Sequence, residues 1–110
     1  VNVFDAEGQY VLPGAIDDQV HFREPGLTHK ANIETESRAA IAGGITSFFE
    51  MPNTVPQAIT VEKLEEKFDI ASKTSYANYS FMFGGTNTNL EEILKNNISE
   101  IPAIKLFLIF

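Results

Sequence analysis

The sequence contains no cysteine among its 110 residues, and this absence restricts the chemistry of any site. Neither a disulfide framework nor a thiolate metal site can form, so a metal ion would need oxygen and nitrogen ligands. Positive charge is also scarce, since 8 lysine and arginine residues stand against 15 acidic ones and the net charge is −7. The chain lacks the basic face of a general nucleic-acid binder. We therefore expect neither a nucleic-acid partner nor a membrane partner.

Long apolar runs are missing as well. No stretch approaches the ~20 apolar residues of a membrane span, and none resembles a secretory leader, so we expect a cytoplasmic location. The contents of 44% hydrophobic and 21% charged residues are ordinary for a soluble globular domain. We also expect the chain to be part of a longer protein. It starts at Val1 rather than at a methionine, and residues 105–110 form an apolar run typical of a buried strand.

Strand-like and helix-like segments alternate along the chain. The pattern predicts strands over residues 15–22, 45–51, 78–83 and 101–110, with helices over 33–42, 61–73 and a short stretch after 89. Each unit occupies about 30 residues, which is typical of βαβ crossovers in a parallel sheet. The order predicts an α/β fold, namely the first four strands of a (β/α)₈ barrel. An open flavodoxin-like sheet fits the same order.

Three polar residues are placed where helices should begin. Asn32 and Thr60 each precede an apolar-periodic segment and are predicted N-caps. Asn89, with Glu92 three residues later, predicts a capping box. Gly43 and the glycine after it are expected to end the first helix.

The first candidate site lies at the end of the first predicted strand. Asp17, Gln19 and His21 are two residues apart and should share one face, with His21 at the carboxyl end. Neutral imidazole is a good zinc ligand, and in a barrel this end of the strands carries the active site. The competing interpretation is a strand-end histidine that simply bonds to a neighbour.

Several short sequence motifs around this site resemble those of a known family. Residues 5–17 resemble the entry into the barrel of the amidohydrolase superfamily, whose first metal motif is Asp-x-His-x-His. Residues 21–26, HFREPG, resemble the dihydroorotase form of that motif. Residues 43–46, GGIT, and 51–54, MPNT, continue the similarity. The resemblance implies that residues 1–13 complete a small N-terminal β domain and that residues 14–110 are the partial barrel.

The resemblance also implies roles for particular side chains. Arg23 and Asn53 would bind a substrate carboxylate, and a guanidinium suits this task because it forks onto both oxygens. Similar allantoinases usually carry Asn at the arginine position. Lys105, in a Lys-Leu-Phe setting, would be carboxylated and bridge two metal ions. Its competing interpretation is a strand lysine that reaches the barrel rim. Gln19 stands where the family usually has its first histidine and would be a weak ligand at most.

The implied activity is that of a metal-dependent cyclic amidohydrolase. It would interconvert N-carbamoyl-L-aspartate and dihydroorotate in pyrimidine synthesis, using one or two Zn²⁺ ions and a small-molecule substrate. The general base is expected outside this chain, so the segment alone should be inactive, and the full-length protein is expected to be a homo-oligomer. Two alternatives remain open. One is a related cyclic amidase of the allantoinase or dihydropyrimidinase type. The other is a non-catalytic scaffold, an alternative raised by the glutamine at position 19.

The remaining polar and aromatic residues have simpler interpretations. His29 should be an exposed loop residue. The charged residues of the second helix are expected on a solvated face; they are Glu62, Lys63, Glu65, Glu66 and Lys67. The strand aromatics are expected in the core; they are Phe48, Phe49, Tyr79, Phe81 and Phe83.

The glutamine at position 19 generates a direct test. In the full-length reading frame that contains this segment (below, the full-length protein), Gln19→His should tighten zinc binding, because imidazole is a far better zinc ligand than an amide oxygen. Zinc affinity is measured by competition with a chelator, and His29→Gln is the control because His29 lies in a loop outside the motif. Equal zinc affinities for Gln19→His and the parent would contradict a ligand position at residue 19.

Overall fold

The computed structural model describes residues 1–97 and 99–108, which form an α/β arrangement of short strands and intervening helices. The elements in chain order are β1 (Ala15–Val20), α1 (Ile33–Ala42), β2 (Ile45–Glu50), α2 (Val61–Thr74), β3 (Asn78–Phe81), β4 (Phe83–Gly84), α3 (Leu90–Lys95) and β5 (Ile104–Lys105). The predicted α/β class and the three helices are confirmed. Across the described residues, no helix is long and apolar enough to cross a membrane.

The strands pair in parallel and follow their order in the chain. β2 lies between β1 and β3 in one sheet, and β4 pairs with β5 in another. An open flavodoxin-like sheet would place β1 between its two successors. The observed order therefore excludes that alternative, while a barrel uses this order.

The third and fourth strands differ from their predicted extents. The predicted strand over 78–83 is divided at Met82, so that β3 pairs with β2 and β4 pairs with β5. The fourth is also shorter, since only Ile104–Lys105 forms β-bridges within the described part of residues 101–110. Leu106, Phe107 and Leu108 are 57%, 49% and 72% exposed, so the buried strand predicted there is wrong for these residues. Ile109 and Phe110 lie outside the described residues.

Two of the three predicted helix caps are confirmed. The side chain of Asn32 accepts from the backbone N–H of Thr35, and that of Thr60 accepts from the N–H of Lys63. The capping box at Asn89 is wrong, because its amide group instead donates to the carbonyls of Ile59 and Gly84.

Glu92, the other half of that predicted box, also has a different partner. Its carboxylate accepts from the N–H of Val61, the first residue of α2. The side chains of Asn89 and Glu92 therefore join α3 to its neighbours in the fold rather than capping that helix.

The core lies between the sheet and the two longer helices. Phe48, Phe81 and Phe83 are fully buried, as expected, and the ring of Phe81 meets Phe68 of α2 edge-on at 4.9 Å. Phe49 and Tyr79 are only half-buried. His29 is exposed, as predicted.

Lys67 is the clear exception to the predicted solvated face of α2. Its side chain is 1% exposed and its Nζ lies 2.5 Å from Oε2 of Glu50, which is equally buried. Lys67 Nζ also donates to the carbonyl oxygen of Met51 at 2.9 Å and sits 4.9 Å from the centre of the Phe81 ring. The position follows from helix geometry, because residue 67 lies on the same stripe as the buried Leu64 and Ala71.

Residues 1–14 contain no helix or strand and are almost entirely exposed. A turn at Glu7 and Gly8, closed by the bond from Gln9 N to Ala6 O, is their main local feature. The boundary predicted after residue 13, and the assignment of residues 1–13 to a small β domain, stay predictions.

The buried ion pair predicts how stability responds to losing one partner. Lys67→Met in the full-length protein should cost about 3–5 kcal/mol, because it leaves the Glu50 carboxylate buried without its counter-charge. Burial already raises the pKa of Glu50, and removing Lys67 raises it further. The folded variant then binds a proton more readily than the unfolded chain, so its stability falls as the pH rises and the loss shrinks in acid.

Urea unfolding at several pH values measures this effect. Lys73→Met on the same helix is the control, because its ion pair with Asp69 is mostly exposed and should be worth no more than about 1 kcal/mol. An equal loss in both variants, or a loss independent of pH, would contradict the assignment.

Candidate active site at the carboxyl ends of the strands

Two loops leave the carboxyl ends of β1 and β2 side by side. The first loop is residues 21–26 and the second loop is residues 51–56. The backbone N–H of Met51 donates to Val20 O at 3.0 Å, and the N–H of Val55 donates to Pro25 O at 3.1 Å. Because both loops are fixed to each other, side chains on one have a defined position relative to those on the other.

The glycine of the first loop lets the two loops approach closely. Gly26 has φ +84°, and a Cβ built there would lie 1.9 Å from the carbonyl oxygen of Val55. Only glycine fits this position, because both the backbone angle and the contact exclude a side chain.

Glu50 anchors the first loop from beneath. Its Oε1 accepts hydrogen bonds from the backbone N–H groups of Phe22 and Arg23, each at 3.1 Å. Its Oε2 forms the ion pair with Lys67, and no other donor in the described residues reaches this oxygen. Burial raises the pKa of Glu50 and lowers the pKa of Lys67, and the charge of each opposes the shift of the other.

The first loop is also held at its far side. Glu24 accepts from the N–H of Ile33 through Oε2 at 2.9 Å, so its carboxylate sits at the amino end of α1. This bond connects the first loop to α1 through the side chain of Glu24.

His21 and Asn53, predicted separately, are brought together by the two loops. His21 Nδ1 lies 2.8 Å from Asn53 Oδ1. An amide oxygen can only accept, so Nδ1 must carry the proton of this bond. In the neutral ring Nε2 then keeps its lone pair, which is the atom a metal ion would need.

Arg23 has a backbone conformation that few residues adopt. Its φ is +70°, in the left-handed region. Its N–H is held by Glu50 and its carbonyl accepts from Leu27 N at 3.0 Å. Within residues 1–97 and 99–108 the half-buried guanidinium makes no ion pair, so it is available for an anionic group.

The side chain of Gln19 has no hydrogen bond to His21 in the described residues, and its role as a weak metal ligand stays a prediction. The pairing of β1 with β2 is irregular between Asp17 and Val20, where β1 has one residue more than β2. Such a bulge interrupts the strict alternation on which a shared face depends. The side chain of Gln19 is exposed, and its backbone N–H bonds to Oδ1 of Asp17.

Lys105 lies on β5 and is half-buried rather than enclosed. Its Nζ sits 5.5 Å from the centre of the Phe107 ring, and its carbonyl accepts from Gly85 N at 2.9 Å. No hydrogen bond or ion pair in the described residues connects its amine to His21.

An open cavity of about 730 Å³ lies at the carboxyl ends of β4 and β5. Asn53 lines it, together with residues after both strands. The cavity is therefore at the same end of the strands as the two loops, where a barrel places its substrate. A second cavity of about 350 Å³, between α3 and residues 101–104, is apolar and contains none of the candidate residues.

The donor set fits only part of a zinc site. A catalytic zinc ion takes about three protein ligands, and His21 Nε2 can supply one of them. Among the described residues, no three His, Cys, Asp or Glu side chains cluster closely enough to hold a metal ion. Further ligands would have to come from elsewhere.

Glu50 and Lys67 are the residues that the sequence interpretation missed. Two signals could have identified them. Glu50 ends an otherwise uncharged strand, where a buried charge must be compensated. Lys67 interrupts the apolar stripe of α2 at helical spacing from Leu64 and Ala71. An acid at a strand end and a base on the facing helix stripe together predict a buried pair.

The close approach at Gly26 generates a prediction with an internal control. Gly26→Ala in the full-length protein should push the two loops apart, and so lower zinc affinity by separating His21 from Asn53. Gly44→Ala is the control, because Gly44 has a similar φ of +88° but open space around its Cβ position. Both variants incur about 1–2 kcal/mol of left-handed strain. Equal zinc affinity in the two variants would show that loop contact does not position His21.

Comparisons with known proteins place this geometry in a family. The family model described as dihydro-orotase-like matches residues 8–95. A dihydroorotase from Enterococcus faecalis is 52% identical over 71 residues, which cover 64% of this chain and 17% of that protein. An allantoinase from Deinococcus radiodurans is 40% identical over 103 residues, covering 93% of this chain and 22% of that protein.

A solved structure agrees with the sequence relatives. L-hydantoinase (dihydropyrimidinase) from Arthrobacter aurescens has a TM-score of 0.85 and 33% sequence identity, over 91% of this chain and 22% of that chain. The chain thus spans about a fifth of the length of the relatives it matches. Because the family model covers most of the 110 residues, the chain belongs to the dihydro-orotase-like family.

Proposed function

We propose that this chain is part of a metal-dependent cyclic amidohydrolase of the dihydroorotase type. The reaction is the reversible interconversion of N-carbamoyl-L-aspartate and dihydroorotate. The observation that carries the proposal is the fixed pair of loops, which holds His21 against Asn53 and leaves the guanidinium of Arg23 without an ion-pair partner in the described residues. The sequence similarity to dihydroorotases supports it.

Arg23 and Asn53 share the binding of the substrate carboxylate. Arg23 offers two parallel N–H donors, which match the two oxygens of a carboxylate. Asn53 uses its Oδ1 on His21, so the two N–H donors of its Nδ2 remain for the substrate. With its carboxylate bound in this way, the substrate has a fixed orientation, and so has the ring amide that is hydrolysed.

The metal chemistry rests on residues of this chain only in part. His21 supplies a ligand through Nε2, Lys105 is the proposed carboxylated bridge, and Gln19 is a weak ligand at most. Bound zinc would activate water and polarise the attacked carbonyl group. Further ligands and the general base are proposed to come from strands beyond the four that form half of a (β/α)₈ barrel.

A related cyclic amidase is the second candidate. It is favoured by the 40% identity to an allantoinase over 93% of this chain and by the likeness to an L-hydantoinase structure. Arg23 argues for dihydroorotate instead, because allantoin carries no carboxylate to pair with a guanidinium. A non-catalytic scaffold is the remaining alternative, since Gln19 lacks a histidine's affinity for zinc, and the zinc content of the full-length protein distinguishes it.

The decisive experiment compares substrates and one arginine variant. The full-length protein should turn over dihydroorotate faster than allantoin or hydantoin. Arg23→Lys should raise KM for dihydroorotate about ten- to a hundredfold, because losing a charge-assisted hydrogen bond costs about 1.5–3 kcal/mol. Steady-state kinetics measure both effects.

Arg38→Lys is the matched control. Arg38 is exposed on α1, where it pairs with Glu34 and Tyr76, so its replacement should leave KM unchanged. Preference for allantoin or hydantoin would favour the related amidases. A parental KM in Arg23→Lys would remove Arg23 from the substrate site.

A further inference from the structure

One buried ion pair contacts the backbone of both loops of the site. Glu50 is the last residue of β2, immediately before the second loop, and its Oε1 binds the N–H groups of Phe22 and Arg23 in the first loop. Lys67 binds both Glu50 and the carbonyl of Met51. We propose that Glu50 is a positioning residue that sets the direction of Arg23 toward the substrate, with Lys67 as its counter-ion. This inference rests on the proposed role of Arg23.

The backbone of Arg23 explains why an anchor is needed there. A left-handed conformation at a non-glycine residue costs about 1–2 kcal/mol, and such strain persists only where the surroundings impose it. Arg23, with φ +70°, is held through its N–H by Glu50 and through its carbonyl by Leu27. Without the Glu50 acceptor, the residue is free to relax toward an ordinary φ, which would turn the guanidinium away.

A purely stabilising role explains the pair less well. Buried ion pairs contribute little net stability, because desolvation offsets the attraction, and apolar pairs of similar size often replace them without loss. The two carboxylate oxygens of Glu50 have different partners, since Oε2 pairs with Lys67 while Oε1 accepts from the two first-loop amides. An apolar pair could fill the space but could not accept from those two N–H groups.

Two double variants of the full-length protein distinguish the effect of the acceptor oxygen at residue 50 from the effect of the buried charges. Glu50→Gln with Lys67→Met removes both charges and keeps an acceptor oxygen at Oε1. Glu50→Leu with Lys67→Met also removes both charges but has no acceptor. We expect KM for dihydroorotate within about threefold of the parent in the first, and raised on the order of ten- to a hundredfold in the second, as for a displaced binding group. Adding Arg23→Lys to the second should raise KM little further, because the two changes act on one interaction.

Several controls keep the outcomes distinct. Thermal unfolding checks that both double variants are folded. If the leucine double variant is unfolded, Glu50→Asp replaces it, because aspartate keeps the charge but has a shorter side chain. Glu50→Asp should show the same rise in KM. Equal KM values in the glutamine and leucine doubles would overturn the proposal. If the parent prefers another cyclic amide, the proposed function fails, and the doubles are compared on that substrate.

If the parent turns over no cyclic amide, hydrogen exchange of the Phe22 and Arg23 amides tests whether Glu50 holds the first loop. These amides should be protected in the parent and in the glutamine double, and should exchange rapidly in the leucine double. Equal protection in the two doubles would overturn the anchor itself.

Discussion

The candidate site depends on one buried carboxylate. Glu50 carries a charge in a position that is fully shielded from water, and the desolvation of that charge has to be offset by specific partners. Lys67 and the amides of Phe22 and Arg23 provide them. Because these partners come from α2 and from the first loop, satisfying Glu50 fixes the helix, the strand and the loop relative to one another.

The same requirement governs the backbone of the two loops. Backbone N–H and C=O groups need partners, and here they are paired across the two strand ends and loops, Met51 with Val20 and Val55 with Pro25. The bond between His21 and Asn53 is then the side-chain counterpart of this backbone pairing. In the neutral ring it favours the tautomer whose Nε2 keeps its lone pair. The position of an amide side chain on one loop thus affects the chemistry of an imidazole on the other.

The sequence predicted the features that depend on local rules. Helix bounds followed from capping at Asn32 and Thr60 and from the 3.6-residue period. His21 and Asn53 were each predicted as site residues, but the hydrogen bond between them was not. Features set by distant contacts were missed. Lys67 was assigned to solvent because its neighbours in sequence are charged, whereas its environment is determined by Glu50, 17 positions earlier.

The bulge in β1 shows the same limit at the level of a single residue. Alternation along a strand predicts which side chains share a face only while the pairing stays regular, and one extra residue between Asp17 and Val20 breaks that condition. Gln19 falls within the irregular stretch and is exposed, whereas His21 lies beyond it, where Asn53 holds its ring. The contact that orients the imidazole therefore comes from the second loop rather than from β1, the strand whose pairing is irregular.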